Sequence, residues 1–183
     1  MELNYNDCPL IGFAAYSGTG KTTLLVQLIP MLRQKGLNVA VVKHAHHNFD
    51  VDKPGKDSYE LRKAGATQML VGSSRRSALI VEKENPAEPG LQDTLPLLDT
   101  SALDLILVEG FKTESFPKIE LHRVIMDRPL LCQQDHNIIA VASDAPLPSV
   151  TRVPVLDLNR PEKIVEFILA YTAAPQQRAS SGP

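Results

Sequence analysis

The sequence predicts an α/β fold: three layers built around a mostly parallel sheet, with additional antiparallel strands. Three observations carry this. Apolar runs of strand length alternate with helical patterns along the chain, the signature of a layered α/β domain. A glycine-rich loop, "SGTGKT" at Ser17–Thr22, stands between the first such run and the first helical pattern. The most strand-like run, "LDLILVEGF" at Leu103–Phe111, ends on an acidic residue and a glycine.

The elements follow in order. "PLIGFAAY" (Pro9–Tyr16) reads as a buried strand entering the glycine loop. From Lys21 to Gln34, Leu24, Leu25, Leu28, Ile29 and Leu32 keep helical spacing, with Pro30 placed to kink the helix and Gly36 to end it. "LNVAVVKH" (Leu37–His44) is a second strand and closes a βαβ unit, whose crossover should be right-handed. The polar stretch His44–Ser58 contains Pro54-Gly55 and reads as a connection longer than most, a kind of loop that is usually functional or disordered. Asp57 or Ser58 can cap a helix running to Ala64. "TQMLVGS" and "SALIVEK" are short strands around Ser73–Arg76, and Leu91–Leu98 is helical despite Pro96. "KIELHRVI" is expected as an antiparallel strand; "NIIAVASD" and "VPVLDL" as buried strands. Asn159 is placed to cap a last helix with Pro161 in its first turn and Ile164, Val165, Ile168, Leu169 and Tyr171 on its apolar face. One nucleotide-binding domain over residues 1–172 and a disordered tail over 173–183 are the expectation.

Composition narrows the function classes. A formal net charge of -2 gives no electrostatic case for nucleic acid or an anionic membrane. No apolar run approaches a bilayer span of about 20 residues, and the N-terminus lacks a basic segment of the signal-peptide kind. The two cysteines, Cys8 and Cys132, suit reduced thiols in the cytoplasm better than a disulfide framework.

The glycine loop nearly fits the phosphate-binding pattern G-x-x-x-x-G-K-[ST]. Gly20, Lys21 and Thr22 match, whereas Ala15 stands at the first glycine position. Strand, loop and helix are in the right order, so backbone N–H groups and a helix N-terminus converge on one point. Gly18 and Gly20 let the chain bend there, Lys21 reaches the β- and γ-phosphates, and the Thr22 hydroxyl is a ligand for Mg²⁺. Ala15 is tolerable if its φ stays negative. The nucleotide-binding residues are therefore Ser17, Gly18, Thr19, Gly20, Lys21, Thr22 and Thr23.

Glu109, at the end of its strand, is placed to face this loop and the metal, through a water or as a base. In the polar stretch, His44, His46, His47, Asp50 and Asp52 lack cysteine and the spacing of a compact tetrahedral zinc site. A segment ordered over the γ-phosphate is the better reading, with Asp50 or Asp52 on a Mg²⁺-bound water and Lys53 or Lys56 neutralising charge. Asp144, after "AVAS", can accept both guanine N1–H and N2–H₂, a match adenine cannot offer, or can simply cap the turn that follows. The N-K-x-D pattern of most GTPases is missing.

Taken together, "SGTGKTTLL", "VVKHAHHNFDVDKPGKDSYELRKAGA", "LDLILVEGFK" and "AVASD" resemble the MobB family of molybdopterin-guanine dinucleotide biosynthesis adapter proteins. The likeness runs from about Gly12 to Asp144 by motif order, and "DKPGKDSYELRKAGA" is its specific part. The resemblance implies a P-loop NTPase-like protein of the SIMIBI class that binds GTP with Mg²⁺, hydrolyses it weakly and forms a homodimer. It also implies assistance to MobA, the guanylyltransferase that attaches GMP to molybdopterin. Ser17–Thr23 carry over as the family's phosphate loop and Glu109 as its acidic strand end, and Ala15 is acceptable within the family. "LHRVIMDRPLLCQQD" is less family-like and stays unassigned.

Three functions follow for test. The first is a GTP-binding adapter with slow hydrolysis, in which Thr22, Asp50, Asp52 and Glu109 hold the metal and Glu109 and Asp52 serve the chemistry. Low turnover is expected because no glutamine or arginine finger is evident, although Arg75 or Arg76 could reach a neighbouring subunit's site. The second is a small-molecule kinase using Glu109 or Asp52 as base. The third is a module that only holds GTP or molybdopterin.

Overall fold

Residues whose side chains alternate between two apolar environments build the centre of the molecule. In the computed structural model, which describes residues 4–45, 49–83 and 87–174, the elements in chain order are β1 (Asn4–Tyr5), β2 (Cys8–Ala14), α1 (Lys21–Gln34), β3 (Val39–Lys43), α2 (Asp57–Lys63), β4 (Gln68–Gly72), β5 (Ser77–Val81), α3 (Leu91–Thr94), β6 (Leu105–Glu109), β7 (Lys118–His122), β8 (Ile138–Ser143), β9 (Val155–Asp157) and α4 (Pro161–Ala173). The chain divides into two compact units, Met1–His44 with Gly90–Pro183, and Ala45–Pro89.

The first unit is a seven-stranded sheet in the order β3-β6-β2-β7-β8-β9, with β1 antiparallel to β2. The strands along that path pair in parallel. Ile11, Phe13, Leu105, Leu107, Ile119 and Leu121 pack with Leu24, Leu25, Leu28 and Leu32 of α1 and Ile164, Val165 and Ile168 of α4. Their sequence neighbours Leu10, Ile106 and Val108 point the other way, onto Leu91, Leu95, Phe111 and Phe116. Burial on both faces is why these strands read as continuous apolar runs. The chain moves to one side of β2 for β3 and to the other for β7 and β8, which makes the C-terminal ends of β2, β6, β7 and β8 a topological switch point.

One strand differs from expectation. Lys118–His122 is parallel and interior, between β2 and β8, not antiparallel. Gly12 is in register with both Val108 of β6 and Lys118 of β7, so β7 starts at the level where β6 is about to end. The chain only has to step across β2, and the usual long return is unnecessary. A Cβ on Gly12 would collide with the Phe116 ring in that crossing segment. Lys118, 1% exposed, donates to the Lys112 and Glu114 carbonyls and to Asp135 Oδ2 at 2.7–2.8 Å, which pins the crossing.

Helix ends also differ in detail. α1 continues through Pro30 to Gln34, and Gly36 with φ 88° follows it as expected. Asp57 lies in the first turn of α2 with Glu60, where negative charge complements the helix dipole, but makes no cap hydrogen bond. Lys56 and Arg160, not the predicted residues, occupy the N-cap positions of α2 and α4. Pro96 turns Leu95–Leu97 into a 3-10 turn after α3. Of the tail predicted over 173–183, Ala173 is the last residue of α4, and residues 175–183 lie outside the described residues.

The second unit holds α2 and the antiparallel β4–β5 ribbon, with Met69 opposite Ile80 and Leu70 opposite Leu79. These two short strands and β1 supply the antiparallel component. Among the described residues no helix is long and apolar enough to cross a membrane.

Candidate nucleotide site

The loop after β2 is shaped by its glycines. Gly18 has φ 81° and Gly20, the N-cap of α1, has φ 100°, both in the left-handed region that residues with a Cβ rarely adopt. Thr19 N–H donates to the Tyr16 carbonyl at 3.4 Å and its hydroxyl to the same oxygen at 2.8 Å. Thr19 is buried, with its N–H and hydroxyl both turned onto the Tyr16 carbonyl, so it shapes the loop from within. Leu24 N–H reaches back to the Gly20 carbonyl at 3.0 Å, which leaves the earlier amides of the helix without intrahelical acceptors. Ala15 is buried and its φ is not positive, so the steric condition for alanine at the first pattern position is met.

Lys21 Nζ donates to the Ala15 carbonyl at 3.4 Å, folded back over the loop. Burial pulls its pKa below that of an ordinary lysine, with Lys112 and Lys43 acting in the same direction and Glu109 opposing them. Ser17, Thr22 and Thr23 are exposed.

Glu109 lies where sequence places it. Its Oε1 accepts from Thr22 Oγ1 at 3.0 Å and its Oε2 from Lys43 Nζ at 3.0 Å. The parallel register that sets Lys43 beside Glu109 at the ends of β3 and β6 explains the second contact. Lys43 escaped the sequence reading; its only signal was being the last residue of a strand neighbouring an acidic strand end. The backbone after Glu109 turns sharply: Gly110 has φ 101° and Phe111 φ 49°, and a Cβ on Gly110 would stand within 2.5 Å of His44 Cβ. The Phe111 ring packs on the His44 ring at 4.6 Å between centroids.

At the end of β8, Asp144 Oδ1 accepts from Val124 N–H at 3.1 Å and Oδ2 from Arg123 Nη1 at 3.2 Å. Asn159, expected as a helix cap, instead donates its side-chain N–H to the Asp144 carbonyl at 3.1 Å. Arg123 also donates Nε–H to the Thr19 carbonyl at 2.9 Å. Arg123 is the second residue that sequence reasoning missed, because it sits in the unassigned "LHRVIMDRPLLCQQD" stretch.

Asp50 and Asp52 belong to the second unit. Arg62 Nη2 donates to Asp50 Oδ1 and Asp52 Oδ1 at 2.6 Å each, and Arg62 Nη1 to Glu82 Oε1 at 2.6 Å. The hydrogen bond from Arg62 holds the Asp52 carboxyl below the usual range. Arg62 is buried, which explains why a charged residue there recruits three carboxylates. His46 and His47 lie outside the described residues. Among the described residues no group of three or more His, Cys, Asp or Glu side chains is arranged to hold a metal ion.

The model of the family described as MobB, molybdopterin guanine dinucleotide synthesis protein B, matches residues 10–144. The chain belongs to the MobB family. Among its MobB relatives, the molybdopterin-guanine dinucleotide biosynthesis adapter protein of Escherichia coli (strain K12) is 52% identical over 164 residues, 89% of this chain and 93% of that one. The protein of the same name from Haemophilus influenzae is 44% identical over 163 residues, 89% of each. Solved MobB structures share the fold. A crystal structure of molybdopterin-guanine biosynthesis protein B superposes with TM-score 0.69 at 25% identity, over 88% of this chain and 99% of that one. A MobB homologue from Bacillus stearothermophilus superposes with TM-score 0.66 at 26% identity, over 89% and 97%. The P-loop NTPase-like α/β class expected from sequence is therefore the fold of this MobB chain.

Proposed function

We propose that this protein is a GTP-binding adapter in molybdenum cofactor biosynthesis, a slow GTPase at most, which assists MobA in attaching GMP to molybdopterin. The single observation that carries the nucleotide part is the contact of Thr22 Oγ1 with Glu109 Oε1 at 3.0 Å, across the mouth of a glycine loop, in a MobB-family chain. The adapter part rests on the names of relatives that match nearly the whole chain.

Loop N–H groups and Lys21 hold the phosphates. Mg²⁺ is usually held by one or two protein oxygens plus phosphate oxygens, and Thr22 with the adjacent Glu109 carboxylate fits that need. Bound with the nucleotide, the ion would neutralise charge on the phosphate oxygens. Glu109 orients the Thr22 hydroxyl and is itself held by Lys43. Slow turnover follows because the sequence shows no glutamine or arginine finger to orient the attacking water or stabilise charge. Asp144 reads guanine. The protein acts as a cytoplasmic homodimer; its two cysteines are free and buried, in keeping with a reducing compartment.

The test is a comparison of Mg²⁺-GTP and Mg²⁺-ATP binding, followed by product analysis and by GMP transfer to molybdopterin with MobA, with and without this protein. GTP preference, slow hydrolysis and stimulated transfer are expected. Rapid phosphoryl transfer to a small acceptor would establish the kinase alternative instead, and unchanged MobA activity would remove the adapter role.

A further inference from the structure

We propose that Arg123 is a specificity-positioning residue that fixes the base-reading carboxylate of Asp144 relative to the phosphate loop; this rests on the proposed guanine role of Asp144. The argument starts from register. Glu120 of β7 is level with Ala14, the last residue of β2, so Leu121, His122 and Arg123 continue alongside the glycine loop. On its other side β7 pairs His122 with Ser143, so Arg123 emerges next to Asp144. A residue at this position has the phosphate loop on one flank and the base end on the other.

Arginine suits such a position because its guanidinium is a rigid planar fork. Nε donates to the Thr19 carbonyl at 2.9 Å and Nη1 to Asp144 Oδ2 at 3.2 Å. Val124 N–H adds a bond to Asp144 Oδ1 at 3.1 Å, so both carboxylate oxygens are oriented while each keeps a lone-pair direction for a ligand. Nη2 lies 3.6 Å from where a Cβ on Gly20 would stand, against the N-cap of α1.

The residues that follow trace the same loop. Met126 Sδ lies 3.7 Å from the Thr19 hydroxyl oxygen, and the Arg128 guanidinium lies over the Tyr16 ring at 5.8 Å. Arg123–Arg128 thus forms one wall of the glycine loop, and Thr19 is buried beneath it. A bidentate carboxylate distinguishes guanine from adenine only if its distance from the bound phosphates is set in advance. The guanidinium bridge supplies that distance.

The experiment is calorimetric titration of the full chain and its Arg123→Gln, Arg123→Lys and Asp144→Asn variants with Mg²⁺-GTP, Mg²⁺-ATP and inorganic tripolyphosphate. In Arg123→Gln the GTP-over-ATP preference should shrink by about 10-fold or more, while tripolyphosphate affinity changes less than about 3-fold. Arg123→Lys, which keeps the charge but not the fork, should also lose most of the preference, and it carries the test if the glutamine variant does not fold. Asp144→Asn should lose the preference, with no further loss on adding Arg123→Gln. An unaltered GTP-to-ATP ratio in both Arg123 variants, or an equal weakening of all three ligands, overturns the inference while leaving the guanine reading intact. Absence of GTP preference in the unsubstituted chain overturns both.

Discussion

Thr22 and Glu109, 87 positions apart in sequence, meet at 3.0 Å through hydroxyl and carboxylate where α1 begins and β6 ends. The helix start and the strand end are brought together because β2 and β6 are parallel neighbours with Phe13 opposite Glu109. If this pair serves Mg²⁺, Thr22→Val should abolish the Mg²⁺ enhancement of GTP affinity. Glu109→Gln should keep most GTP affinity and lower hydrolysis by about 10-fold or more. Calorimetry with and without Mg²⁺, and single-turnover hydrolysis, check both; a full Mg²⁺ effect in Thr22→Val would rule the site out.

Lys21→Ala should reduce triphosphate affinity by about 100-fold and leave the thermal midpoint nearly unchanged. The side chain's bond to the protein is a long one, 3.4 Å to the Ala15 carbonyl, so little folding free energy rests on it. Nucleotide titration and a thermal melt on the same sample separate the two effects.

Ala15→Gly restores the first glycine of the loop pattern. Since Ala15 is buried with φ not positive, it needs no glycine, and the change should cost about 0.5–1 kcal/mol of stability with nucleotide affinity preserved. Denaturant unfolding reads the first and calorimetry the second. Gly12→Ala should be far more damaging, because the added methyl meets the Phe116 ring; a loss above about 2 kcal/mol is expected.

The Arg62 cluster predicts an acid limit for the second unit. The folded-state pKa of Asp52 is depressed, so its contribution is present above the unfolded carboxylate value of about 3.9 and is lost as pH falls through the lower folded value. Hydrogen exchange of α2 and β4–β5 should therefore stay slow down to about pH 4 and accelerate below it. Arg62→Met should shift this opening to neutral pH, since three carboxylates lose their shared donor. Equal protection in the variant at pH 7 would show the cluster to be dispensable.

Much of the fold was legible locally. Continuous apolar runs marked the parallel strands because both faces are buried, and helical spacing marked α1 and α4. The glycine loop was legible because its chemistry lies within a few consecutive residues. β7 was misread as antiparallel because the short connection from Glu109 to Lys118 looks like a hairpin; only the stagger of the two strands across Gly12 allows a short parallel step.

By itself, then, the sequence determined the layered fold, the glycine loop between β2 and α1, the acidic residue at the end of β6 and the family. Each of these is written in neighbouring residues or in a repeating pattern. Tertiary structure alone decided which side chains share a proton or a charge. Lys43 joins Glu109, Arg62 gathers Asp50, Asp52 and Glu82, and Arg123 spans Thr19 and Asp144. In the sheet those choices follow from register, since a one-residue shift of β3 or β7 would remove Lys43 or Arg123 from its partner, and register is set by the packing of the whole sheet.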